Sequence, residues 1–311
     1  MRLKMKTAFV FSGQGSQYNG MGKELYEKFD VCRAIFDKAD EALGFSIKDI
    51  MWNESPKLNE TEYTQPAIFT MSMACFELLR SKSINADCYA GFSLGEYSAI
   101  CASGVFSFED GVRLVNKRGK FMTSAVPQGV GAMSAIIGLE TEVLEEVCKK
   151  ASNVGLVICA NYNMPGQIVI AGEALAIEKA EKLAQEAGAK RVIRLNVSGP
   201  FHTRLLEPAS VNLYNELLKM ELHKLEKPVF TNLTGKAIGS DDIREVLRKQ
   251  VMSPVLWETS IKEMISCGVT TFVELGPGKT LSGFIKKIDK SVNILNIEDI
   301  KSFEKVVESL C

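Results

Sequence analysis

Ser93 stands at the centre of Gly91-Phe92-Ser93-Leu94-Gly95, a G-x-S-x-G pattern in which a serine can act as a covalent nucleophile. The pattern alone arises by chance about once in ten chains of this length, so its setting decides its weight. A short apolar run at 87–90 leads in and an amphipathic helical pattern from Leu94 leads out. Strand, sharp turn and helix together make a nucleophile elbow. The flanking glycines carry no Cβ to obstruct a strained turn, and the hydroxyl is left exposed at a helix N-terminus, where the dipole favours developing negative charge.

A serine hydroxyl is a weak nucleophile until a base within hydrogen-bond reach takes its proton, and histidine is the commonest base. The chain has two histidines. His223 lies in the charged stretch Glu221-Leu222-His223-Lys224 and reads as solvated surface. His202 follows Gly199-Pro200-Phe201 in a loop ahead of the next helical pattern, the kind of place where catalytic groups gather. Elimination favours His202 as the base. No carboxylate between Ser93 and His202 has a distinctive setting, so the acid that would orient the base in a hydrolase triad is not found.

Two glycine-rich stretches suggest nucleotide binding and fail. Gly13-Gln14-Gly15-Ser16-Gln17 follows the first strand, but Tyr18 stands where the dinucleotide fingerprint needs its third glycine. Gly278-Lys279-Thr280 imitates the end of a phosphate loop, but Val273 occupies the place of the first glycine. The loop at 13–17 can instead bring a backbone N–H beside the elbow and, with the Leu94 amide, form an oxyanion hole. By themselves, Lys117-Arg118-Gly119-Lys120 reads as a solvated helix face and Asn161-Tyr162-Asn163-Met164-Pro165-Gly166 as a turn.

The elements that must position these residues follow an α/β pattern, in which buried strands alternate with helices around a parallel sheet. A strand is predicted at 7–11, helices at 23–42, 66–81, 94–103 and 108–125, and a strand at 87–90. The pattern resumes with a helix at 204–220, strands at 228–231, 271–274 and 292–295, and helices at 242–250, 260–267 and 279–287. Between them, 131–195 reads β-α-β-β-α-β, the split unit of ferredoxin-like folds. The expected organisation is a large α/β domain from 1–127 and 198–311 with a ferredoxin-like subdomain, 128–197, inserted. At 311 residues the chain has length for about two such units. The cleft between them is the default ligand site.

Composition removes several function classes. Hydrophobic residues at 46% and charged residues at 24% belong to a folded globular chain. Lys and Arg number 37 and Asp and Glu 38, a net charge of −1 that gives no whole-molecule field for nucleic acid or an anionic membrane. Apolar runs such as 154–160 are far short of the roughly 20 residues that span a bilayer. The basic start Met1-Arg2-Leu3-Lys4-Met5-Lys6 is followed by no apolar signal region, so a cytoplasmic location is expected. Eight cysteines (32, 75, 88, 101, 148, 159, 267 and 311) include no C-x-x-C pair, which suggests neither zinc nor a disulfide framework.

The stretches at 13–17, 91–96, 117–119, 161–167, 201–202 and Glu274-Leu275-Gly276-Pro277-Gly278-Lys279 together resemble the malonyl-CoA:acyl carrier protein transacylases over nearly the whole chain. The resemblance implies an α/β-hydrolase-like domain with an inserted ferredoxin-like subdomain. It implies transfer of a malonyl group from malonyl-CoA to the phosphopantetheine thiol of acyl carrier protein through a malonyl-serine ester, for fatty acid synthesis, with no metal or cofactor. Ser93 would be acylated and His202 its base, with the N–H groups of Gln14 and Leu94 as the oxyanion hole. The main-chain carbonyl of Gln250 would orient the histidine, Arg118 would hold the malonyl carboxylate, and Phe201 and Asn163 would contact substrate. Phe92 departs from the family, which usually has histidine before the nucleophile. Lys117, Lys120, Lys190, Arg191, Lys286 and Lys287 are candidate contacts for an acidic carrier. Three rivals stay open: an acyltransferase serving a polyketide synthase, a serine hydrolase or thioesterase, and a non-catalytic carrier-binding module.

Overall fold

A computed structural model describes residues 6–127, 129–197 and 199–310. Gln128 and Ser198, where the inserted subdomain is expected to begin and its host to resume, lie outside the described residues, as do Met1 to Met5 and Cys311.

Nine strands are described: β1 (Lys6–Phe11), β2 (Cys88–Gly91), β3 (Gly131–Ile137), β4 (Val157–Met164), β5 (Gln167–Glu173), β6 (Arg191–Arg194), β7 (Val229–Phe230), β8 (Val269–Leu275) and β9 (Asn293–Ile297). Five of them form a wholly parallel sheet in the order β7-β2-β1-β8-β9. Its central strands are apolar on both faces because helices cover both. Phe9 and Phe11 enter one core while the alternate residues Ala8 and Val10 enter the other.

The other four strands form an antiparallel sheet in the order β4-β5-β3-β6. Strand β5 slots between β3 and β4, which is the split arrangement expected from the sequence. Alternation again sorts the residues. Met133 and Ala135 of β3 join the core of the large domain, whereas Ile136 packs with the helices Thr141–Ala151 and Ala174–Glu186 in a core of the subdomain's own. The subdomain is also tied by backbone, since Tyr162 donates to the Val255 carbonyl at 2.9 Å and Val255 to the Ala160 carbonyl at 2.8 Å.

Several element boundaries differ from expectation. The helix predicted at 23–42 is two, Lys23–Lys28 and Asp30–Leu43, broken where Phe29 is extended (φ −121, ψ 121). The helix predicted to open at Pro66 begins five residues earlier, as Thr61–Ser81. Proline inside a helix leaves the carbonyl four residues back without its N–H, and here Asn116 Nδ2 donates to that carbonyl, Glu62 O, at 3.0 Å. The turn expected at 161–166 is only Pro165-Gly166, because β4 runs on to Met164 and pairs Asn161 with Val169. The helices Ile47–Trp52 and Ile300–Leu310 were not anticipated.

Candidate active site

Strand β2 ends at Gly91 and the helix Gly95–Ala102 begins four residues later, leaving Ser93 in the turn with φ +51. A left-handed backbone at a residue with a side chain costs on the order of 1–3 kcal/mol and persists only where its surroundings hold it. Both glycines are required by space. A Cβ on Gly91 would lie 1.9 Å from the Gly95 carbonyl carbon, and one on Gly95 would lie 2.1 Å from the Phe11 carbonyl oxygen.

His202 meets this serine, with Nε2 2.7 Å from Ser93 Oγ. Its Nδ1 lies 3.1 Å from the main-chain carbonyls of both Gln250 and Ser253. Carbonyl oxygens only accept, so Nδ1 carries the hydrogen and Nε2 presents its lone pair to the hydroxyl. Two carbonyls thus stand where a hydrolase triad would place a carboxylate. Burial, then the nearby Arg118 charge, lowers the His202 pKa to about 4, against the pull of the two carbonyls. The ring is therefore neutral, and a competent base, at pH 7.

Arg118 comes from the helix Phe108–Ser124 and is almost wholly buried, unlike the exposed Lys117 and Lys120 beside it. The basic run is therefore not a uniformly solvated face. Gly119 lets this helix close on Thr61–Ser81, because a Cβ there would meet the Thr61 carbonyl at 2.6 Å. The guanidinium donates to Gln65 Oε1 at 2.9 Å, Gln250 Oε1 at 3.3 Å and Ser93 Oγ at 3.4 Å, and lies 4.9 Å from the Tyr97 ring centroid. Its partners are amides and a hydroxyl rather than a carboxylate, and its buried Nε has no acceptor. Glu96, whose charge it feels, makes no direct contact with it among the described hydrogen bonds and ion pairs, so a buried cation so placed gains from an anion that does.

The loop after β1 lies against the elbow, with a Cβ on Gly13 only 2.5 Å from the Phe92 carbonyl oxygen. The backbone N–H groups of Gln14 and Leu94 have no protein acceptor among the described residues. Ser93, His202, Arg118, Gln14, Phe201 and Asn163 all line one cavity of about 390 Å³. Leu94 and Gln250 are not among its lining residues. Strands of the inserted subdomain close the far side with Met133, Ala135 and Val169. Asn163 is buried there with Oδ1 unpartnered. Phe92 also faces the cavity, and packs against Trp257 and Phe284 at centroid distances of 5.7 and 6.2 Å. Among the basic residues expected to meet a carrier, Lys117 pairs with Glu216 at 2.6 Å and Lys120 with Glu62 at 3.3 Å. Lys190, Arg191, Lys286 and Lys287 stand exposed.

Sequence reasoning missed a set of residues behind the elbow. Asn232 accepts from the Ser93 N–H at 2.7 Å and donates to the Gly91 carbonyl at 2.7 Å. The Gln250 side chain donates to the Ser93 carbonyl at 2.8 Å and to Glu96 Oε2 at 3.2 Å. Burial raises the Glu96 pKa to about 7. Gln65 and Ser253 were also missed. Nothing about Thr231-Asn232-Leu233 or Met252-Ser253-Pro254 distinguishes them from ordinary loops, although Glu96 adjoins the elbow motif directly.

Fold and site together define a serine-dependent enzyme of the α/β-hydrolase-like class. Residues 8–306 match the family described as acyl transferase domain, and the chain belongs to that family. It is 45% identical over 308 residues to a malonyl CoA-acyl carrier protein transacylase of Bacillus subtilis, covering 98% of this chain and 97% of that protein. Its fold matches the crystal structure of a malonyl CoA-acyl carrier protein transacylase from Clostridium perfringens with a TM-score of 0.95 at 48% identity, over 98% of this chain and 97% of that one. A malonyl-transacylase solved in complex with its type II PKS acyl-carrier protein matches with a TM-score of 0.95 at 38% identity, over 98% of this chain and 99% of that one.

Proposed function

We propose that this chain moves the malonyl group of malonyl-CoA onto the phosphopantetheine thiol of acyl carrier protein, in two half-reactions through an ester on Ser93, and so supplies fatty acid synthesis. The relatives named as transacylases and the family match support this activity. His202 Nε2 takes the Oγ proton as Oγ attacks the thioester carbonyl. The backbone N–H groups of Gln14 and Leu94 receive the developing oxyanion. The intermediate collapses, CoA leaves as its thiol with the proton from His202, and the malonyl ester remains. The carrier thiol then gives its proton to His202 and attacks the ester, and Ser93 leaves as its hydroxyl with that proton returned from His202. Between the two halves the cavity must keep water from the ester.

The observation that carries this reading over hydrolysis is the buried guanidinium of Arg118, 3.4 Å from the nucleophile and without a carboxylate partner. A planar fork binds a carboxylate bidentately, so it can hold the free end of a malonyl group while the thioester end lies at Ser93. A simple thioesterase has no need of it. The carbonyls of Gln250 and Ser253 orient the base, and Phe201 and Asn163 shape the acyl pocket. No helix among the described residues is long and apolar enough to cross a membrane, which fits work in the cytoplasm. We read 1–127 and 198–311 as the catalytic domain and 128–197 as its insertion.

The test is to incubate the protein with malonyl-, methylmalonyl- and acetyl-CoA, identify the modified peptide by mass spectrometry, and chase with holo carrier protein. Malonylation at Ser93, absent in Ser93→Ala and discharged to the carrier, is the expected result. Release of free malonate as fast as the carrier is loaded would overturn the transferase reading in favour of a hydrolase.

A further inference from the structure

We propose that Asn232 is a positioning residue for the nucleophile: its side-chain amide stands in for a missing peptide of strand β7 and holds the elbow in its left-handed turn. The proposal rests on Ser93 being the acylated group.

The register leads to this reading. Strand β7 pairs with β2 through Tyr89 with Val229 and Ala90 with Phe230. A parallel partner ordinarily bonds to the carbonyl of residue n−1 and the N–H of residue n+1 on its neighbour. At the end of β2 those groups are the Gly91 carbonyl and the Ser93 N–H, on either side of Phe92. The chain after β7 supplies no backbone to them. It turns away, with Gly235 donating to the Thr231 carbonyl. The Asn232 carboxamide takes both, with Nδ2 on Gly91 O and Oδ1 on Ser93 N, each at 2.7 Å. The two sites need a donor and an acceptor on separate atoms held side by side in one plane, which a primary amide supplies; a carboxylate only accepts, a hydroxyl offers a single oxygen, and a methyl does neither.

The amide is itself held. Asn232 is fully buried, its own N–H donates to Glu96 Oε2 at 3.0 Å, and Gln250 Nε2 lies 3.4 Å from Oδ1. Gln250 meanwhile takes the Ser93 carbonyl. Both backbone groups of the strained serine are thus claimed by chain more than 130 residues away, while the Leu94 N–H is left free. Among the described residues Asn232 has no hydrogen bond to His202, and it does not line the cavity, so it acts on the reaction through the elbow.

The experiment measures single-turnover malonylation of Ser93, with wild type in parallel. An unlabelled wild type counts against the proposed function; a labelled wild type leaves only the role of Asn232 in question. Asn232→Ala should slow labelling by about 10²-fold, the scale set by displacing a reacting group by about 1 Å. Malonyl-CoA affinity, compared between Ser93→Ala and the Ser93→Ala, Asn232→Ala double variant, should agree within about twofold because Arg118 is untouched. Asn232→Asp, similar in shape, separates positioning from folding. Its carboxyl can replace both hydrogen bonds only when protonated, so its labelling rate should rise about tenfold or more as pH falls from 8 to 5. Glu96, Tyr97, His202 and Arg118 surround the site in both proteins, so the wild-type profile over the same range serves as the control. Labelling of Asn232→Ala within threefold of wild type, a loss of affinity as large as the loss of rate, or a wild-type pH profile in Asn232→Asp would each overturn the role. If Asn232→Ala does not fold, the Asp profile decides alone.

Discussion

The two walls of the cavity are built on different principles. The wall from the parallel sheet carries Ser93, His202 and Arg118, and each of these three is aimed by other residues: carbonyls at Nδ1, amides on both sides of the serine, Gln65 and Gln250 on the guanidinium, whose Nε is left without an acceptor. The wall from the inserted subdomain presents Met133, Ala135 and Val169, with the Asn163 Oδ1 unpartnered. Bond making needs groups fixed to a fraction of an ångström, and the close approach of β1, β2 and the elbow helix supplies that. The covering wall needs only to exclude water and receive the acyl chain, for which shape and apolar surface suffice.

If this division holds, substitutions on the first wall should change rate and choice of substrate, and those on the second should change binding. Arg118→Ala has the largest expected effect. It should cost about 2–5 kcal/mol in kcat/KM for malonyl-CoA, because one partner of a buried charge pair is removed, and acetyl transfer should gain relative to malonyl. An unchanged malonyl-to-acetyl ratio removes the assigned role.

The pH profile sharpens the contrast on the chemical side. A depressed pKa means that the inactive protonated ring accumulates only at low pH. Apart from a step near pH 7 where Glu96 behind the elbow titrates, malonylation of Ser93 should therefore stay level down to about pH 5 and fall about tenfold per unit below about 4. A histidine with its ordinary pKa, about 6.5, would already fail near pH 6. A midpoint there that persists in Glu96→Gln would show that burial does not set the base.

On the covering wall, Asn163→Ala should raise KM for malonyl-CoA about threefold to tenfold, the worth of one neutral hydrogen bond, with kcat nearly unchanged. Removing a buried acceptor that has no protein partner should leave thermal stability level or improve it. A drop in melting temperature argues that the amide is structural. The smallest effect is expected from Phe92→His, which restores the family's usual residue. The side chain packs on Trp257 and Phe284 and has no hydrogen-bonding atom to offer the dyad, so loading should stay within about threefold while stability falls by about 1 kcal/mol. A tenfold loss of rate would show that the residue before Ser93 takes part in the chemistry.

Much of this was readable before any coordinates. Alternation of strand and helix patterns marks both sheets because buried faces repeat every second or every 3.6 residues. Element ends were less legible where a distant partner intervened, as at Pro66, whose helix continues upstream because Asn116 takes the stranded Glu62 carbonyl. Arg118 reads as surface in isolation, and only the packing of its helix on Thr61–Ser81 turns that one residue of a basic run inward.

The sequence by itself determined what is local: the glycine-flanked serine between a strand and a helix, the failure of both nucleotide motifs, and His202 as the better of two bases. Tertiary structure alone decided how the nucleophile is aimed. The histidine is oriented by main-chain carbonyls of Gln250 and Ser253, which every residue type possesses, so no side-chain identity could announce them. The Asn232 amide reaches the elbow across 139 residues, and a hydrogen bond depends on distance and angle that chain order does not encode.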